Sequence, residues 1–494
     1  MSNSKIIKNI VFGFGGQFTA IIFGLIIPRI FIVNYGSDIN GLISTVSQIF
    51  SYMALLEAGI GQAARNALFK PFGDNNKNSI NEIVSTAREY YRKFTIIYAF
   101  GVIAIAVALP FVLKTEVDCF TVFWVILFEG MSGVISFYFI ETPSIIFLVD
   151  GKSYINNAIN LLIRILGYIV KIVMSINGIS IVVLQLAYFI VTITKVLLYN
   201  WYFENNYSWI KWVETDKSFK LKDRGSYIIT EVASTVFNST DAIILSVFLS
   251  TQLASVYSVY NMIYSNIGLL LNAVYFSVVY VLGSAFHADM NRYIKLHDAF
   301  TSAFLGCMTA LMSVCYVLTI PFISLYTNGV SDVNYLYPQL PFLFCSVQII
   351  SWSRYVSGNL TGMAGYAKQT SYISLIEAVL NITLSIVFVN KFGIVGVLLG
   401  TVLSLPLKVL WCSYISDVKV MKRSPFKSLA IIISNFLFFI GVVLLTKKIE
   451  LTICTYGQFM IWGVVYTLIF GAGSLVVNLC ANRESCSIIK EFFF

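Results

Sequence analysis

The sequence predicts an all-α membrane protein of about fourteen transmembrane helices, forming two six-helix bundles related by a pseudo-twofold axis plus a C-terminal helix pair. Three observations carry this. The 494 residues are 58% hydrophobic and only 12% charged, where soluble domains carry roughly a quarter charged. Apolar runs of about eighteen residues or more recur from end to end, each long enough to cross a hydrocarbon core. The charges between those runs sort to alternate sides.

The first run, Ile10 to Val33, exceeds a signal-peptide core and is followed by no small-residue cleavage site, so it is expected to remain as the first span. Hydropathy then places spans near 10–33, 41–63, 94–113, 119–149, 154–176, 179–203, 228–250, 253–282, 299–326, 335–362, 369–390, 393–416, 427–446 and 452–480. One side collects Lys5, Lys8, the cluster from Arg65 to Lys93, Lys152, the cluster from Lys211 to Arg224, and Arg292, Lys295, Lys368, Lys419, Lys422 and Arg423. The other side holds only Lys114, Lys171, Lys391, Lys447 and Lys448. The positive-inside rule therefore makes both termini cytoplasmic, which needs an even number of spans. The net charge of +9 reflects topology rather than nucleic acid. The eight cysteines lie mostly in or beside apolar runs, without CxxC spacing, which argues against a metal site or disulfide framework. His287 and His297 share a polar stretch and read as solvated. The longest polar stretches, about 64–93 and 204–227, are too short for an independent core.

Two turns repeat. Asp150-Gly151-Lys152 precedes a helix ending near Asn177-Gly178, and Gly365-Tyr366-Ala367-Lys368 precedes one ending near Phe392-Gly393, an offset of about 214 to 215 residues in both places. The expected organisation is an N-terminal six-helix bundle (1–205), a cytoplasmic linker (206–227), a C-terminal six-helix bundle (228–420) and a C-terminal pair (421–494). Repeats of this kind let transporters rock about a central site.

Ionisable residues at helix centres cost about 2.5–3.5 kcal/mol each on insertion scales and therefore face a bundle interior or water. Arg29, Glu57, Glu129, Arg164, Lys195, Asp241, Arg354 and Glu377 are such residues. Helical spacing gives several of them polar company: Asn157, Asn160, Arg164, Tyr168, Lys171 and Ser175 share one face. Glu231, Ser234, Asn238 and Asp241 share another, as do Tyr257, Asn261, Tyr264, Asn272 and Tyr275, and Ser374, Glu377, Asn381 and Ser385. Stripes of this length suggest an aqueous cavity for a polar substrate, although each residue could equally be a packing hydrogen bond or an interhelical ion pair. Arg164 and Arg354, then Arg29, are the leading phosphate ligands, because a guanidinium stays charged and offers bidentate hydrogen bonds. Asn160, Tyr168, Asn261 and Tyr264 complete the expected cavity, the tyrosines suiting sugar rings. Asp241, Glu377 and Glu57 are the candidates for ion coupling. Gly13, Gly16, Ala20 and Gly24 mark close helix packing.

The segment Arg29-Ile30-Phe31-Ile32-Val33-Asn34-Tyr35-Gly36-Ser37-Asp38-Ile39-Asn40-Gly41-Leu42, followed by Gln48, Tyr52, Leu55-Leu56-Glu57-Ala58-Gly59-Ile60-Gly61 and Leu68-Phe69-Lys70-Pro71, resembles the N-terminal pattern of Wzx-type polysaccharide flippases. These belong to the MOP superfamily, with the MATE exporters and lipid II flippases. The residue-level likeness lies mainly in the first hundred positions; span count and repeat arrangement match along the chain. The resemblance implies a MATE-like, alternating-access bundle in a bacterial plasma membrane. It would carry undecaprenyl-diphosphate-linked oligosaccharide from the inner to the outer leaflet for capsule, exopolysaccharide or O-antigen assembly. Membrane lipids and polysaccharide polymerase machinery are the implied partners.

Such a protein needs no cofactor and no catalytic residues. With no Walker pattern, its energy would come from H+ or Na+ coupling or from the substrate gradient. A cation-coupled MATE-like multidrug exporter is the alternative, and mid-membrane arginines argue against it. A membrane glycan polymerase or transferase is the second alternative, disfavoured by the short external loops.

Overall fold

In the computed structural model, described for residues 3–213, 232, 235–236, 239–447 and 453–481, nearly every residue is helical. The helices are α1 (Asn3–Gly73), α2 (Lys77–Val112), α3 (Cys119–Phe139), α4 (Glu141–Val149), α5 (Ser153–Ile176) and α6 (Ile181–Asn206). They continue as α7 (Asp241–Phe248), α8 (Thr251–Ala288), α9 (Met290–Tyr326), α10 (Leu340–Ser353), α11 (Tyr355–Met363) and α12 (Ala367–Ser404). α13 (Pro406–Tyr414), a π-turn (Ile415–Val420), α14 (Phe426–Thr446) and α15 (Tyr456–Ala481) complete the order.

Glycine divides two of these. At Gly36 (φ 85°, ψ 170°) and Gly393 (φ 59°, ψ −137°) the backbone leaves the helical region, so α1 and α12 each contain two successive helices. Only glycine takes such angles without a Cβ penalty. Two expected spans are instead interrupted midway, at Ile140 between α3 and α4 and at Arg354 between α10 and α11. With these divisions the helices follow the fourteen expected spans in order, the seventh partly outside the described residues. The repeat also shows in the backbone: Gly151 and Gly365 have φ 70° and 86°, and Gly178 and Gly393 have φ 67° and 59°.

The chain divides into two compact units, Met1–Ser255 and Val256–Phe494. Unit 1 packs Leu42 and Val46 of α1, Tyr91 and Val102 of α2, and Val122 and Ile126 of α3 into a buried core that extends to Phe147 and Leu184. α1 approaches the chain at Thr251 so closely that a Cβ on Gly41 would lie 1.7 Å from the Thr251 carbonyl oxygen. Unit 2 seats the C-terminal pair on α9. Leu318 packs with Val442, Tyr466 and Phe470, Ser474 donates to the Gly306 carbonyl at 2.8 Å, and Asn435 and Asn478 exchange amide hydrogen bonds of 2.9 and 3.0 Å. Paired amides of this kind hold helices together in lipid, where apolar contact has no hydrophobic drive.

The outer faces are apolar. Leu162, Leu166, Ile169, Val173 and Ile176 line one side of α5, and Leu437, Leu444 and Leu445 one side of α14, all exposed. Faces like these suit hydrocarbon, where helices satisfy their own backbone groups. Nine helices among the described residues are long and apolar enough to cross a bilayer. The chain is a multi-pass membrane protein.

The polar stretch 64–93 is mostly helix, with only 74–76 between α1 and α2; hydropathy registers the apolar part of a helix, whereas charged residues extend it beyond. One expectation is corrected. His297 is not solvated: it lies in α9 with 0% of its surface exposed.

Candidate functional site

In unit 1 the polar face of α5 is intact. The bare backbone of α1 admits it: Gly13 faces the Asn157 amide, and the Gly16 carbonyl accepts a 2.8 Å hydrogen bond from Arg164 Nη1. Tyr168 stacks on Phe23 of α1 with centroids 4.6 Å apart. Gly167 leaves room for Tyr188 of α6, whose ring carries the Lys171 ammonium at 4.1 Å from its centroid. Asn160 lies beside Tyr199 of α6. Lys195 of α6 has Glu141 and Arg164 as electrostatic neighbours, and Glu129 of α3 lies near Tyr98 and Tyr188.

The other unit 1 candidates keep different company. Arg29 is half-buried on α1 directly after Pro28. Asp241 is buried as the first residue of α7, near Tyr52 of α1, whose hydroxyl bonds Thr240 and the Val236 carbonyl. The Glu57 side chain lies outside the described residues, as do Glu231, Ser234 and Asn238.

In unit 2, Arg354 sits where α10 stops and α11 begins. Its guanidinium bonds Glu377 of α12, and the two side chains are 15% and 3% exposed. The break is fully served: Gly358 N–H donates to the Arg354 carbonyl at 2.7 Å and the Tyr275 hydroxyl to the Tyr355 carbonyl at 3.0 Å. Lys408 and Cys412 of α13 are electrostatic neighbours of the same pair.

Two striped faces are corrected. Tyr264 is fully buried, stacked flat on Phe344 at 5.0 Å, and its hydroxyl meets Thr319 at 2.9 Å. Tyr257 and Tyr275 are buried as well, so these rings pack the unit and offer no face to a sugar. Asn261 is half-buried on the same helix. On α12, Asn381 donates to Thr401 at 2.8 Å and Ser385 to the Val397 carbonyl at 3.2 Å. The chain doubles back at Gly393, and the polar residues of the stripe staple the two halves together.

A further ionic cluster gives no sequence signal at all. Arg423 joins Asp298 of α9 to Asp417 of the π-turn, and His297 places Nδ1 3.1 Å from Asp298 and Nε2 3.1 Å from Ser357. Lys422, immediately before, holds a left-handed φ of 50°, which a non-glycine residue adopts at a cost.

No protein-family model and no curated protein matches the sequence. Solved structures do match in fold. The lipid II flippase MurJ in an inward closed conformation superposes with a TM-score of 0.65 at 16% identity, covering 94% of this chain and 98% of that one. An inward-facing multidrug resistance MATE transporter of the MOP superfamily gives 0.64 at 11%, covering 87% and 96%. A MOP-superfamily transporter from Pyrococcus furiosus, described as having a binding pocket of reverse polarity, gives 0.53 at 9%, covering 85% and 96%. At these identities the likeness establishes architecture, and the chain has the fold of MOP-superfamily transporters.

Proposed function

We propose that the chain is a flippase that carries undecaprenyl-diphosphate-linked oligosaccharide from the inner to the outer leaflet by alternating access, in assembly of capsule, exopolysaccharide or O-antigen. The bundles 1–205 and 228–420 would rock about the substrate. The linker 206–227 would lie on the cytoplasmic side of a bacterial plasma membrane, and the pair 421–494 would buttress the second bundle.

The observation that supports this reading is the placing of arginine beside lysine within each helical unit, Arg164 with Lys195 in the first and Arg354 with Lys408 in the second. Positive charge held among the spans attracts a diphosphate and repels the cationic substrates of a drug exporter. The fold alone does not separate the two readings, since it serves both a lipid II flippase and a multidrug transporter. Asp241, Glu377 and Glu57 remain the groups proposed for H+ or Na+ coupling.

The test is complementation in cells lacking the protein. Wild type should relieve a build-up of lipid-linked oligosaccharide in the inner leaflet, and Arg164→Ala and Arg354→Ala at matched expression should not. Absence of any build-up, with altered sensitivity to cationic drugs, would favour the MATE-like exporter.

A further inference from the structure

The charges inside the two units recur at one spacing. In unit 1, Lys195 of α6 has Glu141, at the start of α4, and Arg164 of α5 beside it. In unit 2, Lys408 of α13 has Arg354, at the start of α11, and Glu377 of α12 beside it. Each member of the second set lies 213 residues after a member of the first: Glu141 to Arg354, Arg164 to Glu377, Lys195 to Lys408. The left-handed turn glycines repeat at 214 and 215 residues, so the charged positions follow the structural repeat to within two residues. The setting repeats too, because in both units the acid or guanidinium that leads the set stands at the interruption of a span.

The lysine is kept, while the carboxylate and the guanidinium have exchanged helices. Each set is thus one carboxylate among two cations. A simple ion pair would be neutral; here a second cation accompanies it, and none of the four cations is buried, Arg164 being exposed and Lys195, Arg354 and Lys408 half-buried. In unit 2 the carboxylate is also the innermost group, at 3% exposure against 15% for Arg354, with Lys408 half-buried. In unit 1 Arg164 is exposed, whereas Glu141 is half-buried. In each set at least one cation is more exposed than the acid.

We infer that each triad is an anion subsite with a built-in counter-ion, in which the diphosphate of the carrier lipid displaces Glu141 or Glu377 from its cations; this rests on the flippase reading. The carboxylate offsets part of the positive charge when the site is empty. A phosphate, more highly charged and able to take bidentate bonds, displaces it. Return of the carboxylate then competes the ligand off, so that binding is strong enough for entry without trapping the load. Lys195 and Lys408 become diphosphate ligands on the same footing as the arginines.

The test uses the full chain purified in detergent and titrated with undecaprenyl diphosphate, with undecaprenol as the uncharged control and phosphatidylglycerol as a competitor. Lys195→Met and Lys408→Met should each weaken diphosphate binding at least about tenfold and leave undecaprenol binding unchanged. Glu141→Gln and Glu377→Gln should tighten diphosphate binding, an effect that a damaged protein cannot imitate if a lysine variant fails to fold. Wild-type affinity in all four variants would overturn the subsites and leave the flippase reading standing. A wild type that binds diphosphate no better than undecaprenol would remove that reading as well. Equal competition by phosphatidylglycerol would assign the triads to ordinary phospholipid headgroups and overturn the assignment to the carrier.

Discussion

Arg423 grips Asp298 with both terminal guanidinium nitrogens at 2.6 Å each, across 125 residues of sequence. The same guanidinium donates through Nε to Asp417 at 2.8 Å, and Asp417, with no exposed surface, also accepts from the Ser428 hydroxyl at 3.0 Å. One side chain therefore ties α9, the π-turn and the start of α14 together. Burial alone would lower the Arg423 pKa, but the hydrogen bonds and charges of the two aspartates hold it above its ordinary value. Its contribution is fully present below the unfolded pKa and lost only as pH rises through the still higher folded one, far above working pH.

Removing that cation leaves the buried Asp417 and the half-buried Asp298 without their shared counter-charge, with only Ser428 and His297 still beside them. Arg423→Gln should destabilise the protein by about 3–5 kcal/mol, read as a lowered unfolding temperature in detergent. Arg423→Lys should recover only part of this, since an ammonium cannot reproduce the fork. Wild-type melting of Arg423→Gln would show that the aspartates find other partners.

The spans were legible because hydropathy and loop charge are properties of local sequence, and the glycine turns at 151, 178, 365 and 393 announced the repeat. That Arg164 and Tyr168 share a face of α5 was legible from helical spacing, but what meets a face was not: α1 takes these two through the Gly16 carbonyl and Phe23. Asn381 and Ser385 read as cavity-lining but are claimed by Thr401 and the Val397 carbonyl. Taking the turn at Gly393 as the centre of a hairpin would have placed Glu377 opposite the region of Lys408. Arg423 and Asp298 offered nothing, because their pairing depends on a π-turn and a left-handed Lys422 that no periodicity encodes.

The α12 hairpin makes a steric prediction. A Cβ on Gly400 would lie 2.6 Å from the Ser385 backbone nitrogen, and one on Gly396 would lie 2.3 Å from the Phe388 carbonyl oxygen. Backbone cannot move aside as a side-chain tip can, so Gly396→Ala and Gly400→Ala should each cost about 1–3 kcal/mol. Gly441 of α14 has nothing within 4 Å, so Gly441→Ala should be neutral or gain about 0.5–1 kcal/mol. Equal melting temperatures for all three variants would contradict the close approach.

Asp118 predicts a small pH dependence. It caps α3 by accepting from the Thr121 N–H at 2.8 Å, and that bond holds its carboxyl below the usual range. A depressed folded pKa means the contribution is present above the unfolded pKa and fades as pH falls through the folded one. Asp118→Ala should cost about 0.5–2 kcal/mol near neutral pH, with a smaller difference in strong acid. Asp118→Asn keeps the cap without the titration, so its stability relative to wild type should rise as the pH is lowered. A flat difference between wild type and Asp118→Asn would mean that folding does not shift the Asp118 pKa.

The exchanged order of the two triads predicts the outcome of a charge swap. Arg354→Glu or Glu377→Arg alone places like charges together in a site where the native pair is 15% and 3% exposed, and each should destabilise by about 3–5 kcal/mol. The double variant puts the acid at the interrupted span and the guanidinium on the following helix, the order that Glu141 and Arg164 already have. It should therefore recover about 0.5–3 kcal/mol as coupling between the two sites. Thermal unfolding of the four proteins in one detergent measures that coupling directly. A double variant no more stable than the sum of the singles would mean that the interruption at Arg354 fixes which charge it accepts, and that the two orders are not interchangeable.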